Sequence, residues 1–213
     1  MNMLKMNLTH KTFLFFLTML FFEANIMAFE EPQYSVTSKT GKIEFRQYQS
    51  FLVAETAVSG NRESAGSNGF KILASYIFGN NKGDNNIAMT APVIQVEEPT
   101  FSVTQPSDNT NSKDPKNQSW TIQFMMPAQY TLESLPKPRD SRVKFKTIPP
   151  RKMASITYSG RWTESNYLEH LDILNQEIQK AGIKTKGTAL WARYNSPFTP
   201  WFLRKNEILI EID

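Results

Sequence analysis

The 213-residue chain contains no cysteine and only two histidines. Without cysteine there is no disulfide framework, no thiolate metal site, no cysteine nucleophile and no c-type haem attachment motif. One histidine, His10, lies in an N-terminal segment expected to be removed, which leaves His170. A lone histidine does not complete an ordinary zinc site, and any serine–histidine triad would have to use it. No Gly-rich phosphate loop, paired-carboxylate spacing or nucleophile elbow is present. The 24 Lys and Arg against 20 Asp and Glu form no basic run, so nucleic acid is not an expected partner. Nor does any apolar run reach the roughly 20 residues of a membrane span. What is present is an ordinary globular composition, 40% hydrophobic and 21% charged, long enough to bury a core.

The longest apolar run, Phe13 to Phe22, follows Lys5 and Lys11 and precedes a short segment ending in Ala28. A basic start, a ten-residue apolar centre and a small-residue end have the pattern of a secretory signal peptide. Glu23 and Asn25 block extension of the run, and no lipobox cysteine follows. Cleavage after Ala28 is expected, giving an exported chain, periplasmic or secreted, of residues 29–213. An uncleaved anchor is the other reading; after cleavage no stable membrane insertion is expected. Loss of Lys5, Lys11 and Glu23 takes the formal charge from +4 to +3.

Residues 42–60 alternate apolar with polar and are rich in β-branched and aromatic types, which predicts a strand. Residues 64–79 predict a helix with Phe70, Leu73, Ala74 and Ile77 on one face and Gly79 at its stop. Ile72 and Tyr76 make a second apolar pair on the other side, so the helix is sandwiched or covers something besides the core, unless Tyr76 simply packs under a loop. Strands are predicted at 86–96 and 120–126, separated by a polar loop at 97–119. After the connector Leu135–Asp140 the order recurs: a strand at 142–160 broken at Pro149–Pro150, a helix at 163–182, and strands at 188–195 and 206–212. In the second helix Tyr167, Leu171, Leu174, Ile178 and Ala181 share one face, with His170 at its edge.

The two first strands align at an offset of 100, with Phe45/Phe145, Ala54/Ala154, Ser59/Ser159 and Gly60/Gly160 identical. Together with the repeated element order, this predicts an internal duplication, about 42–134 and 141–213, within a single domain. The fold class expected is α+β, with two helices covering a sheet or curled sheet.

The segments IEFRQYQSFLVAETAVSG (43–60), FKILASYIFGNN (70–81), IAMTAPV (87–93) and YNSPFTPWFLRKNEILI (194–210) resemble the SOUL haem-binding protein family, in that family's order. The resemblance implies a duplicated strand–helix–strand–strand unit forming a distorted antiparallel β-barrel or sheet flanked by two α-helices. It also implies reversible binding of haem or another tetrapyrrole in a shallow groove between the first helix and the loop joining the last two strands. In this chain the groove would take Phe70, Lys71 and Ala74 from the helix and Phe198, Trp201, Phe202 and Arg204 from the loop. Aromatic faces suit a macrocycle, and cations suit its propionates. The other reading of the loop is an apolar cluster pinning a long hairpin to the core, its cations merely solvated.

Where some family members have histidine, this chain has Gln47, a poor haem ligand, so no axial bond is carried over. His170, Tyr48 and Tyr194 also have ligating capacity, and none is singled out as a metal ligand. The function expected is a monomeric, non-enzymatic haem or tetrapyrrole carrier or buffer. A general module for apolar small ligands, for which haem is incidental, is the alternative. An enzyme would draw on Glu44, Glu55 and Glu207, of which Glu44 and Glu55 lie on opposite faces if 42–60 is one regular strand.

Overall fold

A computed structural model describes residues 29–98 and 118–213. The expected signal segment and most of the polar loop 97–119 lie outside the described residues. The strands are β1 (Tyr34–Thr40), β2 (Ile43–Tyr48), β3 (Phe51–Ser59), β4 (Val93–Glu97), β5 (Ser119–Met125), β6 (Lys144–Ile148), β7 (Arg151–Tyr158), β8 (Thr185–Arg193) and β9 (Asn206–Ile212). The helices are α1 (Arg62–Ile77) and α2 (Glu164–Lys180). All ladders are antiparallel, and the sheet runs β1-β2-β7-β9-β8-β4-β5-β3-β6.

The segment 42–60, expected as one strand, is two strands turning at Gln49–Ser50. These do not pair: β2 lies between β1 and β7, and β3 between β5 and β6. In a flat sheet, strands six places apart would be about 29 Å distant. Two linking residues bridge at most about 11 Å. The sheet therefore rolls up, bringing β2 beside β3 and, through Pro149–Pro150, β6 beside β7. It is nevertheless not a closed barrel, which corrects that half of the expectation. β1, an exposed strand not anticipated from its sequence, occupies the free edge of β2, and β6 is the other edge.

With β1 set aside, exchanging β2 with β6, β3 with β7, β4 with β8 and β5 with β9 reproduces the same strand order. A pseudo-twofold axis thus passes between β4 and β8. Each half lends its first strand to the other, since β2 pairs with β7 and β6 with β3.

Both helices pack on the outer face of the roll. The Asn61 side chain accepts the Ser64 N–H to start α1, and Thr163 does the same for Asn166 in α2. Glycines with positive φ, Gly79 (+105°) and Gly182 (+67°), lie just beyond the helix ends. Leu73, Ile77, Trp120, Ile122 and Phe124 form the core under α1, and Ile156, Tyr167, Leu174, Trp191 and Ile208 the core under α2. A third cluster, with Tyr48, Ile94, Met153, Leu190 and Leu209, fills the helix-free inner face.

The buried stripe of α1 includes Ala65, Gly66 and Gly69 as well as Leu73 and Ile77. Tyr76 is buried on its other flank, its hydroxyl donating to the Pro136 carbonyl at 3.0 Å and its ring tilted against Phe145. The second apolar side is thus met by the connector 135–140, with Tyr76 packing under a loop. At Gly69 an added Cβ would lie 2.2 Å from Ile122 Cγ1. Gly69→Ala is therefore expected to lose stability, by about 1–3 kcal/mol of overpacking partly offset by about 1 kcal/mol of helix propensity. Urea unfolding measures this, and a variant as stable as the parent would contradict such close packing.

Candidate functional site

The inner face of the roll carries a buried polar network. On β2, Ile43 and Phe45 face the α2 core, so Glu44, Arg46 and Tyr48 point inward. The Arg46 guanidinium donates to both oxygens of Glu207 at 2.9 and 3.0 Å, to Glu44 Oε2 and to the Tyr48 hydroxyl. The Thr157 hydroxyl donates to Glu207 Oε1 at 2.9 Å, and the Tyr194 hydroxyl donates to Glu207 Oε2. Tyr34 lies under the Arg46 charge at 4.3 Å. Burial alone would raise the Glu207 pKa, but the Arg46 hydrogen bonds and charge, aided by Tyr194, hold it below the usual carboxylate value. Burial likewise pushes the Tyr48 hydroxyl up to about 12 despite Arg46, and drives Tyr194 upward too.

The turn at Gln49–Ser50 resets the parity of the chain. Glu55 alternates with Ala54 and Val58 of the α1 core, so it too faces inward, where Gln123 donates to it at 2.8 Å. Glu44 and Glu55 therefore share the inner face, contrary to the expectation from a continuous strand. A separate cleft of about 460 Å³ lies at the rim, lined on one side by Phe51, Leu52, Met125 and Tyr130 and on another by Glu30 and Glu133. Its walls come from several distant segments, and no local pattern in the sequence marks it.

The residues proposed for the groove are distributed differently from one another. Phe70 packs at 5.4 Å against Phe124, and Ala74 is buried in the α1 core, while Lys71 is exposed. In the loop between β8 and β9, Phe198 is 95% exposed, Trp201 49%, Phe202 58% and Leu203 64%. Arg204 donates to the carbonyls of Thr199 (2.8 Å) and Pro197 (2.7 Å) and stacks 4.2 Å over Trp162. It therefore braces the loop. Lys205 pairs with Glu31 at 3.0 Å. The Gly160 N–H donates to the Trp201 carbonyl, docking the loop at the start of α2. The link to α1 runs through Arg193, which lies 5.5 Å from the Trp162 ring and packs against Gly66.

Among the side chains able to ligate iron, Tyr48 and Tyr194 have their hydroxyls engaged, and His170 is held through one ring nitrogen. His170 Nδ1 is 2.8 Å from the Asn166 carbonyl, and its ring stacks on Tyr158 at 4.1 Å. Tyr48 and Tyr194 belong to the inner network, and the Gln47 amide donates to the Tyr48 carbonyl. The sequence drew attention to Glu207 only as a strand carboxylate, because its partner Arg46 lies 161 residues away.

The Glu207 geometry yields a pH prediction. A carboxyl whose folded pKa lies below its unfolded value of about 4.5 stabilises the fold above that pH, and the contribution disappears as pH falls through the folded pKa. Glu207→Gln is expected to cost about 3–5 kcal/mol at pH 7, since it strands the buried Arg46 charge. The gap to the parent should narrow below pH 4.5 in denaturant titrations. A gap independent of pH would contradict the ionised pair.

The family model for SOUL heme-binding protein matches residues 29–211. Among solved structures, the EcmrR C-terminal domain is similar with a TM-score of 0.59 and 10% identity, covering 84% of this chain and 98% of that one. A hydrolase encoded by lin2189 from Listeria innocua is similar with a TM-score of 0.55 and 12% identity, covering 83% and 94%. At these identities the likeness concerns the fold. No curated protein matches the chain. The match over almost all of residues 29–213 settles its kinship: this chain belongs to the SOUL heme-binding protein family.

Proposed function

We propose that the protein is an exported, monomeric and non-enzymatic carrier or buffer of haem or a related tetrapyrrole, which it holds reversibly without an axial bond. Family membership supports the ligand class. The observation that carries the reading is the loop between β8 and β9, where Phe198, Trp201, Phe202 and Leu203 stand exposed together on a braced backbone. An apolar group of this kind on a surface calls for a partner. Rings and a leucine fit the face of a flat macrocycle, which is what a haem would require here.

In this reading Phe198, Trp201 and Phe202 cover one face of the ligand and exclude water from it. Arg204 acts indirectly, by fixing the loop through Thr199 and Pro197. Lys71, exposed on α1, supplies a cation for a propionate. Burying on the order of 400 Å² of ligand at about 25 cal/mol/Å² gives roughly 10 kcal/mol. Association consumes some 4 to 15 kcal/mol of that. The balance favours micromolar or weaker binding, suited to reversible carriage. The hydrogen-bonded hydroxyls of Tyr48 and Tyr194 support binding by faces and charge, indifferent to the metal.

A Soret-band titration of the purified protein tests this. Haem and metal-free protoporphyrin are expected to saturate one site with similar affinity, and His170→Ala to leave both unchanged. Joint replacement of Phe198, Trp201 and Phe202 by Ala should weaken both by at least about tenfold, given roughly 1.5–3 kcal/mol per buried large side chain. No saturable binding, or loss of the Soret shift in His170→Ala alone, would overturn the proposal. Equal binding of unrelated apolar dyes would favour a general apolar-ligand module instead.

A further inference from the structure

Where the two helix-side cores meet, over β4 and β8, the packing is neither apolar nor charge-balanced. Arg62, the first residue of α1, lies 4.3 Å from the Tyr167 ring, 4.7 Å from Trp120 and 5.8 Å from Trp191. Arg193, the last residue of β8, lies 5.0 Å from Trp191 and donates to Gln95 Oε1 at 3.0 Å. Gly66 allows this approach, because a Cβ there would come within 2.9 Å of both the Arg193 guanidinium and Gln95 Oε1. Two guanidinium groups are thus gathered among aromatic rings near the pseudo-twofold axis.

Their countercharge is deficient. Among the described residues, Arg193 has no carboxylate within 4.0 Å. Arg62 has only Glu164 at 3.8 Å and Glu97 at 4.0 Å, at the outer limit of an ion pair. Four donors here are buried without a hydrogen-bond partner among the described residues: Arg62 Nε, Arg193 Nε, Trp191 Nε1 and the Tyr158 hydroxyl. Trp191 is 3% exposed and Tyr158 7%. Desolvation lowers the Arg193 pKa to about 10, as expected of a cation lacking an anion. Tyr158 senses the charges of both arginines and the approach of the Trp191 N–H, which falls short of a hydrogen bond, so the four donors are close neighbours. Stacking on rings relieves a guanidinium charge but leaves its N–H groups unmet.

We propose that this seam between α1 and α2 is a carboxylate-recognition site in which Arg193 and Arg62, with the Trp191 indole and the Tyr158 hydroxyl, receive a carboxylate of a bound ligand. Only the naming of that carboxylate, a tetrapyrrole propionate, rests on the function proposed above. A carboxylate presents two oxygens and about four lone-pair directions, matching a set of donors that otherwise stay unpaired. The seam borders the surface, where 14% of the Arg62 side chain is exposed, and the four unpaired donors lie just beneath it. It also adjoins the loop, because Trp162 lies between Arg193 and Arg204.

The indole N–H groups report on this directly. Those of Trp120 and Trp162 are bonded to the Gly60 carbonyl and Asn206 Oδ1, so Trp191 carries the buried unpaired one. Its ¹H–¹⁵N signal is assigned from a Trp191→Phe variant, and sodium propionate is titrated against chloride at constant ionic strength. The Trp191 signal should move downfield and saturate, and stay still in Arg193→Gln and in Arg62→Gln, whose other indole signals verify the fold. An unmoved Trp191 signal in the parent, or a movement surviving both substitutions, overturns the site.

In a second arm, haem dimethyl ester should bind the parent at least about tenfold more weakly than haem, the scale of one charge-assisted hydrogen bond. Arg193→Gln should erase that difference. Equal binding of acid and ester by the parent overturns the assignment of the seam to the ligand. Failure of haem to bind while propionate still moves Trp191 overturns the tetrapyrrole reading and upholds the carboxylate site.

Discussion

Two connections of two residues each, Gln49–Ser50 and Pro149–Pro150, join strands that stand six places apart in the sheet. That constraint alone dictates the roll, and the roll creates an inside and an outside. The outside is covered twice, by α1 and by α2. The inside has no helix to cover it, and it is filled by a small apolar cluster and by the Arg46–Glu207 pair with its attendant hydroxyls. A charge pair so enclosed contributes little net stability compared with an apolar filling, but losing either member is costly. The network therefore fixes how β2 meets β9 across β7 and leaves little room for another arrangement.

The outer face has a different weakness. The two helices are related by the pseudo-twofold axis, and the strip between them is floored by β4 and β8. Arginines and aromatic rings occupy this strip in place of aliphatic residues. The apolar loop between β8 and β9 begins where Arg193 ends. The proposed ligand surface and the proposed carboxylate site are thus neighbours because one strand leads into both.

The sequence carried much of this. The apolar face of α2 was readable because it depends on residues within a few positions, and β9 was predicted at its observed bounds. The duplication was visible as an offset of 100. The failures share a cause. Gln49–Ser50 carries no glycine or proline, so the alternating pattern runs through the turn and conceals both the break and the shared face of Glu44 and Glu55. β1 is exposed at every position and lacks a burial pattern to detect. On α1, Gly66 and Gly69 bury a face through smallness, which hydrophobic periodicity does not register. Arg46 with Glu207, and Arg62 with Arg193, are united only by the fold.

The exchange of first strands between the halves bears on the order in which the chain can assemble. Ile43 of β2 pairs with Ile156 of β7, so a strand made early waits for a partner more than a hundred residues behind it. Five of the eight ladders, β2–β7, β3–β5, β3–β6, β4–β8 and β7–β9, join strands that are not consecutive in the chain, which makes for slow folding. Neither half is complete without a strand from the other, so the sheet is completed only once the second half has been synthesised.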